Sequence, residues 1–362
     1  MSSSQEHITD LSGAVSGDRS MADGIVKQRV LLWRSGCGEE IGASSIDDLS
    51  RNIAAEDDLV IINWELSGNR SSISRYLVEL AGLWTKTQQA DLLLVQIRGS
   101  RDLLLRWFPA LIAARLTHRL SVALLEFDSP IWQRPIIRWL LKHLLKQADR
   151  LVTPTEWQMG ALRRVGLAPA MIPTLQPVQT FSEIIQVQPR ILVEIGAAQL
   201  GEIDRIVQSF SLVKSKYPRA ELVILGVHNQ HAEIQNRIER TMANRLSGIE
   251  IVDVGNSGNL SGDVVICLDN DNSFPRQLVS AWQSGRVPLI PAFSLVSSIV
   301  RDGFNGLVYS AANTSGLADA VVRLVEEPSL VRAISSQGLI EARGFQWPAL
   351  KSRWRAILLP RK

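Results

Sequence analysis

Short apolar runs alternate with helix patterns along most of this chain, and this alternation constrains its fold more than any other feature. The strands predicted in the first half are residues 29–33, 59–63, 91–96, 121–126 and 150–153, with helix patterns such as 73–85, 102–116 and 136–147 between several of them. Such alternation indicates right-handed crossover units on a parallel sheet. The continuous apolar run at 92–95 is typical of a strand buried on both faces.

A second series of the same kind follows a stretch rich in proline. Its predicted strands are 190–195, 220–225, 249–252, 264–268, 288–291 and 307–309, and its predicted helices are 202–217, 231–244, 276–284 and 316–326. The proline-bearing stretch between the two series has no clear period, which marks a domain boundary. We therefore predict a disordered tail (1–26), an N-terminal Rossmann-like domain (27–175), a linker (176–189), a C-terminal Rossmann-like domain (190–340) and a final helical segment (341–362).

The composition excludes several classes of protein. Hydrophobic residues make up 46% and charged residues 21% of the chain, and the net charge is only +3, as in a globular protein with a sizeable core. The two cysteines are far apart, which argues against a disulfide framework or a metal cluster and fits a reducing, cytoplasmic compartment. The first 26 residues lack the apolar segment of a signal peptide, and no run of eighteen apolar residues predicts a membrane-spanning helix.

The turn Asp302-Gly303-Phe304-Asn305-Gly306 stands between a proline-started strand and a helix pattern. This order resembles the carboxyl-terminal half of glycosyltransferase family 4 enzymes of the GT-B fold. The resemblance implies an α/β fold of two doubly wound domains that face a central cleft. It also implies a nucleotide-sugar substrate, a retaining reaction, and no metal or further cofactor.

The resemblance implies donor-site residues after the first strand of the second series. Family members have a Gly-Arg pair there and a Lys-Gly pair a few residues later, whose side chains neutralise the donor diphosphate. This chain keeps Gly196 and Gly201, but Ala197 stands in the place of the arginine and no lysine precedes Gly201. Contacts to an anion must then come from backbone amides or from a basic side chain elsewhere.

A second donor motif of the family, Glu-x7-Glu, is also altered. Phe274-Pro275 fits the pattern, so that Asn272 stands for the first glutamate and Ser280 for the second. Asp269 or Asp271 could compensate for the lost carboxylates, and Arg276 or Arg286 could replace the phosphate ligands. The donor-binding residues that the resemblance implies are Gly196, Asn272, Ser273, Phe274, Ser280, Arg276 and Arg286.

Two features of the first half indicate an acceptor side. Gly36 and Gly38 follow the first strand, where family members have a glycine-rich acceptor loop, although an ordinary strand-to-helix turn needs the same residues. Glu126 and Asp128 follow the fourth strand on one side, and such a carboxylate pair could act as the catalytic groups that orient sugar hydroxyls. Alternatively, Asp128 caps the helix that follows.

Basic residues recur every four positions in the predicted helix that follows. From residue 101 to residue 150, nine Lys or Arg face four Asp or Glu. The stripe and its tryptophan are Arg134, Arg138, Trp139, Lys142 and Lys146. A basic amphipathic helix with tryptophan indicates an anionic membrane surface or a lipid-linked acceptor, whereas a solvated face over a core helix is the other interpretation. No nucleic-acid-binding motif is present.

Two hypotheses on function follow from these features. The first is a glycosyltransferase that moves a sugar from a nucleotide-sugar to a lipid-linked or polysaccharide acceptor at the inner face of the membrane. The second is a catalytically inactive homologue that acts as a binding or scaffolding partner of an active glycosyltransferase.

Overall fold

The structure, a computed structural model, describes residues 27–34, 44–56, 58–65, 73–97, 106–126, 135–175, 189–226, 228–242, 247–253, 264–269 and 274–359. Within these ranges the strands are β1 Gln28–Arg34, β2 Leu59–Glu65, β3 Leu92–Ile97, β4 Leu120–Leu125, β5 Arg150–Thr153, β6 Ala170–Met171, β7 Arg190–Ile195, β8 Glu221–Gly226, β9 Ile249–Asp253, β10 Val264–Ile266, β11 Val287–Pro291 and β12 Leu307–Tyr309. The helices are α1 Ser44–Ala54, α2 Ile73–Gln89, α3 Phe108–Leu116, α4 Pro135–Leu145, α5 Glu156–Arg164, α6 Ile203–Lys216, α7 His231–Met242, α8 Arg276–Gln283, α9 Thr314–Glu326, α10 Pro328–Ala342 and α11 Trp347–Leu358.

The first six strands form a parallel sheet in the order β2-β1-β3-β4-β5-β6. Side chains from alternate positions of its strands enter two separate cores, because successive residues of a strand point to opposite faces. One core packs α2, α3 and α4 through Leu83, Leu111 and Leu145. The other packs α1 and α11 through Ile53 and Trp354. The short strand β6 was not predicted, because it lies in the proline-bearing stretch.

The last six strands form a second parallel sheet in the order β12-β11-β10-β7-β8-β9. The chain runs outward from β7 in both directions, so the order reverses between β7 and β10. In doubly wound sheets, ligands bind outside the carboxyl ends of the strands at such a reversal, the topological switch point. The prediction of two doubly wound α/β halves is confirmed.

Helix α11 packs against the first sheet, although it follows the last elements of the second half. Leu350, Trp354 and Leu358 are at most 3% exposed and belong to the core that also contains Val30 of β1. Arg150 of β5 donates hydrogen bonds to carbonyl oxygens at the end of α11, including that of Leu359 at 2.8 Å. An arginine at this position satisfies carbonyls that have no partner within the helix.

Two acidic residues just before β2 bind α11 from its first residue to its last turn. Trp347 donates its Nε1–H to Glu56 Oε1 at 3.0 Å, and Lys351 Nζ lies 2.6 Å from Glu56 Oε2. Arg355 pairs with Asp58. Hydrogen bonds from Lys351 and Trp347 lower the pKa of Glu56 from its ordinary value.

The glycine turn before β12 is joined to the buried tryptophan of α8. Gly303 has a φ of 72°, which L-residues rarely adopt. Asn305 is 2% exposed, accepts from the Arg301 N–H at 2.7 Å through its side chain, and accepts from Trp282 Nε1 at 2.6 Å through its carbonyl. A Cβ at Gly338 of α10 would lie 2.6 Å from Trp282 Cδ1, so the indole packs directly on the α10 backbone. The turn therefore fixes α8 against α10 and β12.

Candidate nucleotide site at the second sheet

Two glutamine side chains bind the same backbone residue at the switch point between β7 and β10. Leu268, two residues after β10, donates its N–H to Gln277 Oε1 at 2.7 Å, and its carbonyl accepts from Gln199 Nε2 at 3.2 Å. Gln277 Nε2 also donates to the carbonyl of Glu194 in β7 at 3.3 Å. Backbone groups beyond the end of a strand ladder need such partners when they are buried. The two glutamines therefore hold the carboxyl ends of β7 and β10 together.

Gly196 makes room for one of these glutamines. It follows β7 and precedes the 3-10 helix Ala197–Glu202, with an ordinary negative φ. A Cβ at this position would lie 2.8 Å from Gln199 Oε1. The family resemblance places this glycine beside the donor phosphates. In this structure, the lack of a side chain at Gly196 leaves room for the Gln199 amide, which binds the Leu268 carbonyl beyond β10.

Asp269 caps the amino end of α8. Its Oδ1 accepts from the Gln277 N–H at 2.9 Å, and its Oδ2 accepts from the Leu278 N–H at 3.0 Å. Burial raises the pKa of Asp269 to about 7, and the Glu194 carboxylate adds to this rise, whereas the two backbone bonds and the charge of Arg276 oppose it. Both carboxylate oxygens accept hydrogen bonds from α8, so Asp269 caps this helix. The N–H groups of Gln277 and Leu278 are therefore not free to bind a ligand.

Arg276 is the cation at this edge of the second sheet. It is the first residue of α8 and is half-buried. Among the described residues, its guanidinium has no carboxylate within ion-pair distance, yet its charge opposes the rise that burial causes in the pKa of Glu194. Ser280 lies one helical turn further along the same face of α8. The carboxyl edge of the second sheet therefore carries the Arg276 guanidinium near the carboxyl groups of Glu194 and Asp269, with the Ser280 hydroxyl one turn further along α8.

The other predicted donor residues have different positions. Arg286 directly precedes β11, which places it at the amino edge of the sheet, opposite to Arg276. The Phe274 ring is 5% exposed and packs edge-on against Phe345 with ring centroids 5.6 Å apart, so it contributes to the core. Asn272 and Ser273 lie outside the described residues, as does Asp271. Of the predicted donor residues, the structure brings together Gly196, Arg276 and Ser280.

Sequence reasoning did not single out Gln199, Gln277 or Glu194. Glu194 and Gln199 lie near the end of β7, and Gln277 is the second residue of the helix after β10. Their closeness to the switch point is the only signal that could have identified them. Because glutamine is common on protein surfaces, that signal is weak without knowledge of the strand order.

Glu126 occupies a buried polar site on the first sheet. It is 9% exposed and its Oε2 accepts from Gln96 Nε2 at 2.7 Å. It lines a cavity of about 10 Å³ that is closed in part by Thr174 and Trp354. The other residues predicted for the acceptor side lie outside the described ranges; they are Gly36, Gly38 and Asp128.

Helix α4 has the amphipathic form that its sequence predicts. Leu144 and Leu145 are buried, whereas Arg138, Lys142 and Lys146 are exposed and Trp139 is 61% exposed. Arg134, the first member of the predicted stripe, lies outside the described residues. Across the described ranges, no cluster of three His, Cys, Asp or Glu side chains could hold a metal ion, and no helix is long and apolar enough to cross a bilayer.

Comparison with solved structures finds glycosyltransferases that align with nearly the whole chain. HepE of Anabaena, solved in complex with UDP and glucose, has a TM-score of 0.68 at 12% identity over 91% of this chain and 99% of its own. A glycosyltransferase of Rickettsia africae has a TM-score of 0.66 at 12% identity, with 92% and 98% covered. Sucrose-phosphate synthase of Thermosynechococcus elongatus has a TM-score of 0.64 at 13% identity, with 91% and 98% covered. The chain therefore has the GT-B fold, and the fold expected from the turn at Gly303 is confirmed.

Sequence comparison gives a shorter match. No family model matches the chain. The D-inositol 3-phosphate glycosyltransferase of Actinosynnema mirum is 31% identical over 87 residues, which are 24% of this chain. The match spans only 21% of that relative's own length.

Proposed function

We propose that the chain is a glycosyltransferase that binds a nucleotide-sugar at the carboxyl edge of the second sheet. The observation that carries this proposal is the position of Arg276, a cation without an ion-pair partner among the described residues, beside the switch point of a GT-B fold. HepE, which shares the fold, was solved with UDP-glucose. These findings support a nucleoside diphosphate sugar as the donor.

In this proposal Arg276 takes the place of the missing family arginine and lysine. A guanidinium can bind two phosphate oxygens at once, and a charge-assisted pair of this kind is stronger than a neutral hydrogen bond. Negative charge grows on the diphosphate as the glycosidic bond breaks, and a fixed cation at that position is worth several kcal/mol of transition-state stabilisation. The carboxyl groups of Glu194 and Asp269 interact electrostatically with the guanidinium without an ion pair, and in this proposal the Ser280 hydroxyl bonds a donor hydroxyl. Gly196, Asn272 and Ser273 complete the proposed donor site.

The finer parts of the proposal concern the acceptor and the reaction. We infer a lipid-linked or polysaccharide acceptor, held on the first domain near Gly36, Gly38, Glu126 and Asp128. We also infer a retaining, metal-independent transfer with no cofactor beyond the nucleotide-sugar. The basic stripe of α4 supports a peripheral position on the inner face of a membrane.

A second candidate function is that of an inactive homologue that binds or scaffolds an active glycosyltransferase. Ser280 and Ala197 favour it, because they are neutral where the family has charged donor ligands. Asp269 favours it as well, because its carboxylate caps α8.

Calorimetric titration of the whole chain with UDP, GDP and UDP-glucose tests the proposal. We expect binding of a nucleoside diphosphate, and at least a tenfold weaker affinity in Arg276→Gln, because a charge-assisted hydrogen bond is worth about 1.5–3 kcal/mol. Arg286→Gln at the opposite edge is the matched control and keeps the affinity. No heat of binding at millimolar ligand contradicts the proposal, and binding without sugar transfer favours the inactive homologue.

A further inference from the structure

Helix α3 has an exposed apolar stripe. Phe108, Ile112 and Leu116 recur every four residues, and their exposed fractions are 46%, 44% and 63%. This spacing places the three side chains along one face of the helix. Soluble proteins rarely leave large contiguous apolar patches in water unless a partner covers them. The stripe therefore indicates a binding surface.

The cations beside the stripe have no acidic partners within the described ranges. Neither α3 nor α4 contains an Asp or Glu residue. Arg115, Arg138, Lys142 and Lys146 are exposed, and among the described residues none of the four has an ion-pair or hydrogen-bond partner for its side chain. Several cations on α6, α7 and α9, in contrast, are matched by carboxylates on nearby turns.

The two helices present these groups from the same side of the first sheet. Both pack into the core that contains Leu93 and Val95, whereas α1 and α11 cover the opposite face. Trp107, directly before α3, donates its Nε1–H to the Leu144 carbonyl near the end of α4 at 3.1 Å. Trp139 of α4 adds a fourth large apolar side chain, 61% exposed, to this outer surface.

We propose that the α3–α4 surface, defined by Phe108, Ile112, Leu116, Arg115, Arg138, Trp139, Lys142 and Lys146, docks on the headgroup region of an anionic lipid bilayer. The apolar side chains enter the interface, while the four cations contact lipid phosphates. The proposal rests on the lipid-linked acceptor inferred above. It goes further because it names the surface that binds the bilayer. It also predicts a contribution from apolar side chains, which binding by charge attraction alone would not need.

Charge selects the lipid surface over a second copy of the chain. A symmetric dimer uses the same patch on both subunits, so it would bring two sets of unpaired cations together. Like charges at short distance repel, and at this surface no acidic side chain on either helix offsets them. An anionic bilayer supplies the missing negative charge.

Sedimentation of the full chain with vesicles tests the proposal. We expect pelleting with phosphatidylglycerol–phosphatidylcholine vesicles and little with phosphatidylcholine alone. The double variant Ile112→Ser/Leu116→Ser should lower the vesicle partition coefficient at least tenfold, because it removes about six carbon groups from the interface. Arg138→Glu/Lys142→Glu should lower it to a similar extent, since each basic residue near the surface contributes about fivefold. Phe293→Ser, which alters a side chain 79% exposed in the other half, is the control and leaves pelleting unchanged.

The outcomes separate this proposal from the proposed transferase. Wild-type protein that fails to pellet, or pelleting that Ile112→Ser/Leu116→Ser leaves intact, overturns the docking surface. A wild-type dimer in analytical ultracentrifugation that this variant abolishes assigns the surface to a second copy and also overturns it. UDP titration of the same variants tells the two proposals apart, because both variants leave Arg276 untouched and keep nucleotide binding.

Discussion

At the scale of single residues, the carboxyl edge of the second sheet combines opposite charges in a partly buried place. Arg276 lies close enough to Glu194 and Asp269 to oppose the rise in both pKa values. A bound diphosphate would add negative charge beside the carboxyl groups of Glu194 and Asp269. Such binding is favourable only if the Arg276 guanidinium contacts the diphosphate. In the proposed donor site, binding of the diphosphate would therefore depend on one side chain where the family resemblance implies several.

The pH dependence of stability provides a residue-scale prediction for Asp269. Its ordinary pKa is 3.8, and its folded value is about 7. Between these values the native state holds a proton that the unfolded state has lost, so this contribution to stability falls as pH rises through the window. Asp269→Asn cannot ionise, and its amide accepts from only one of the two helix N–H groups. At pH 5 we expect the wild type to be more stable by about 1 kcal/mol, the usual value of a lost cap.

Urea unfolding at constant ionic strength checks this prediction. From pH 5 to pH 8 the wild type should lose stability relative to Asp269→Asn and become the less stable of the two, because ionising a buried carboxyl group whose pKa is raised from 3.8 to about 7 costs on the order of 2–3 kcal/mol over this range, which is more than the cap contributes. A difference that stays constant over this range contradicts the shifted pKa of Asp269.

Motif comparison predicted some residue positions but not their side-chain directions. The glycine turn was predictable, because the φ of 72° at Gly303 needs glycine in any sequence with this geometry. Phe274 aligned equally well with the family pattern, yet its ring packs on Phe345. Arg286 is close in sequence to the donor motif, but the length of α8 carries it to the other edge of the sheet. Whether such a residue reaches the donor site depends on where the helix ends and which way the side chain points. The spacing of residues in the sequence gives neither.

At the scale of elements, α11 is the described helix that joins the end of the chain to the first sheet. Its apolar face is buried. Glu56 binds Trp347, its first residue, and Asp58 binds Arg355 in its last turn. Arg150 binds carbonyl oxygens at its carboxyl end. A helical segment was predicted over residues 341–362. The partners could not be predicted, because Glu56 lies 291 residues before Trp347 in the chain.

Tryptophan substitutions in two helices test the importance of α11. Trp354 is 3% exposed in the first-sheet core, whereas Trp139 of α4 is 61% exposed. Trp354→Ala should cost about 3–5 kcal/mol of unfolding free energy, as large-to-small changes in a core do. Trp139→Ala removes the same side chain from a surface helix and should stay within about 0.5 kcal/mol. Urea unfolding followed by circular dichroism measures both, and equal losses would show that α11 does not contribute to the core.

At the scale of the whole molecule, the net charge of +3 conceals an uneven distribution. The cations of the α3–α4 surface have no ion-pair partner in the part of the chain that the structure describes, whereas α11 and several helices of the second half have cations matched by carboxylates. Two binding functions are thus assigned to different places, a nucleotide at the second sheet and a lipid surface on the first domain. Variants in one place are expected to leave the other intact.

The architecture could be predicted from the sequence, whereas the chemistry could not. Alternating apolar runs specify parallel sheets because strands covered by helices on both faces must be apolar, and many sequences meet that condition. HepE shares the fold at only 12% identity, so the fold leaves most side chains free to differ. Ala197, Asn272 and Ser280 are changes of this kind, and the proposed role of Arg276 came from the geometry of the second sheet.

A crystal structure of the protein with bound UDP-glucose would show whether Arg276 binds the donor. We expect the diphosphate outside the carboxyl ends of β7 and β10, with phosphate oxygens within hydrogen-bond distance of the Arg276 guanidinium and a donor hydroxyl near Ser280. A diphosphate bound elsewhere, or one at this edge without any contact to Arg276, would contradict it.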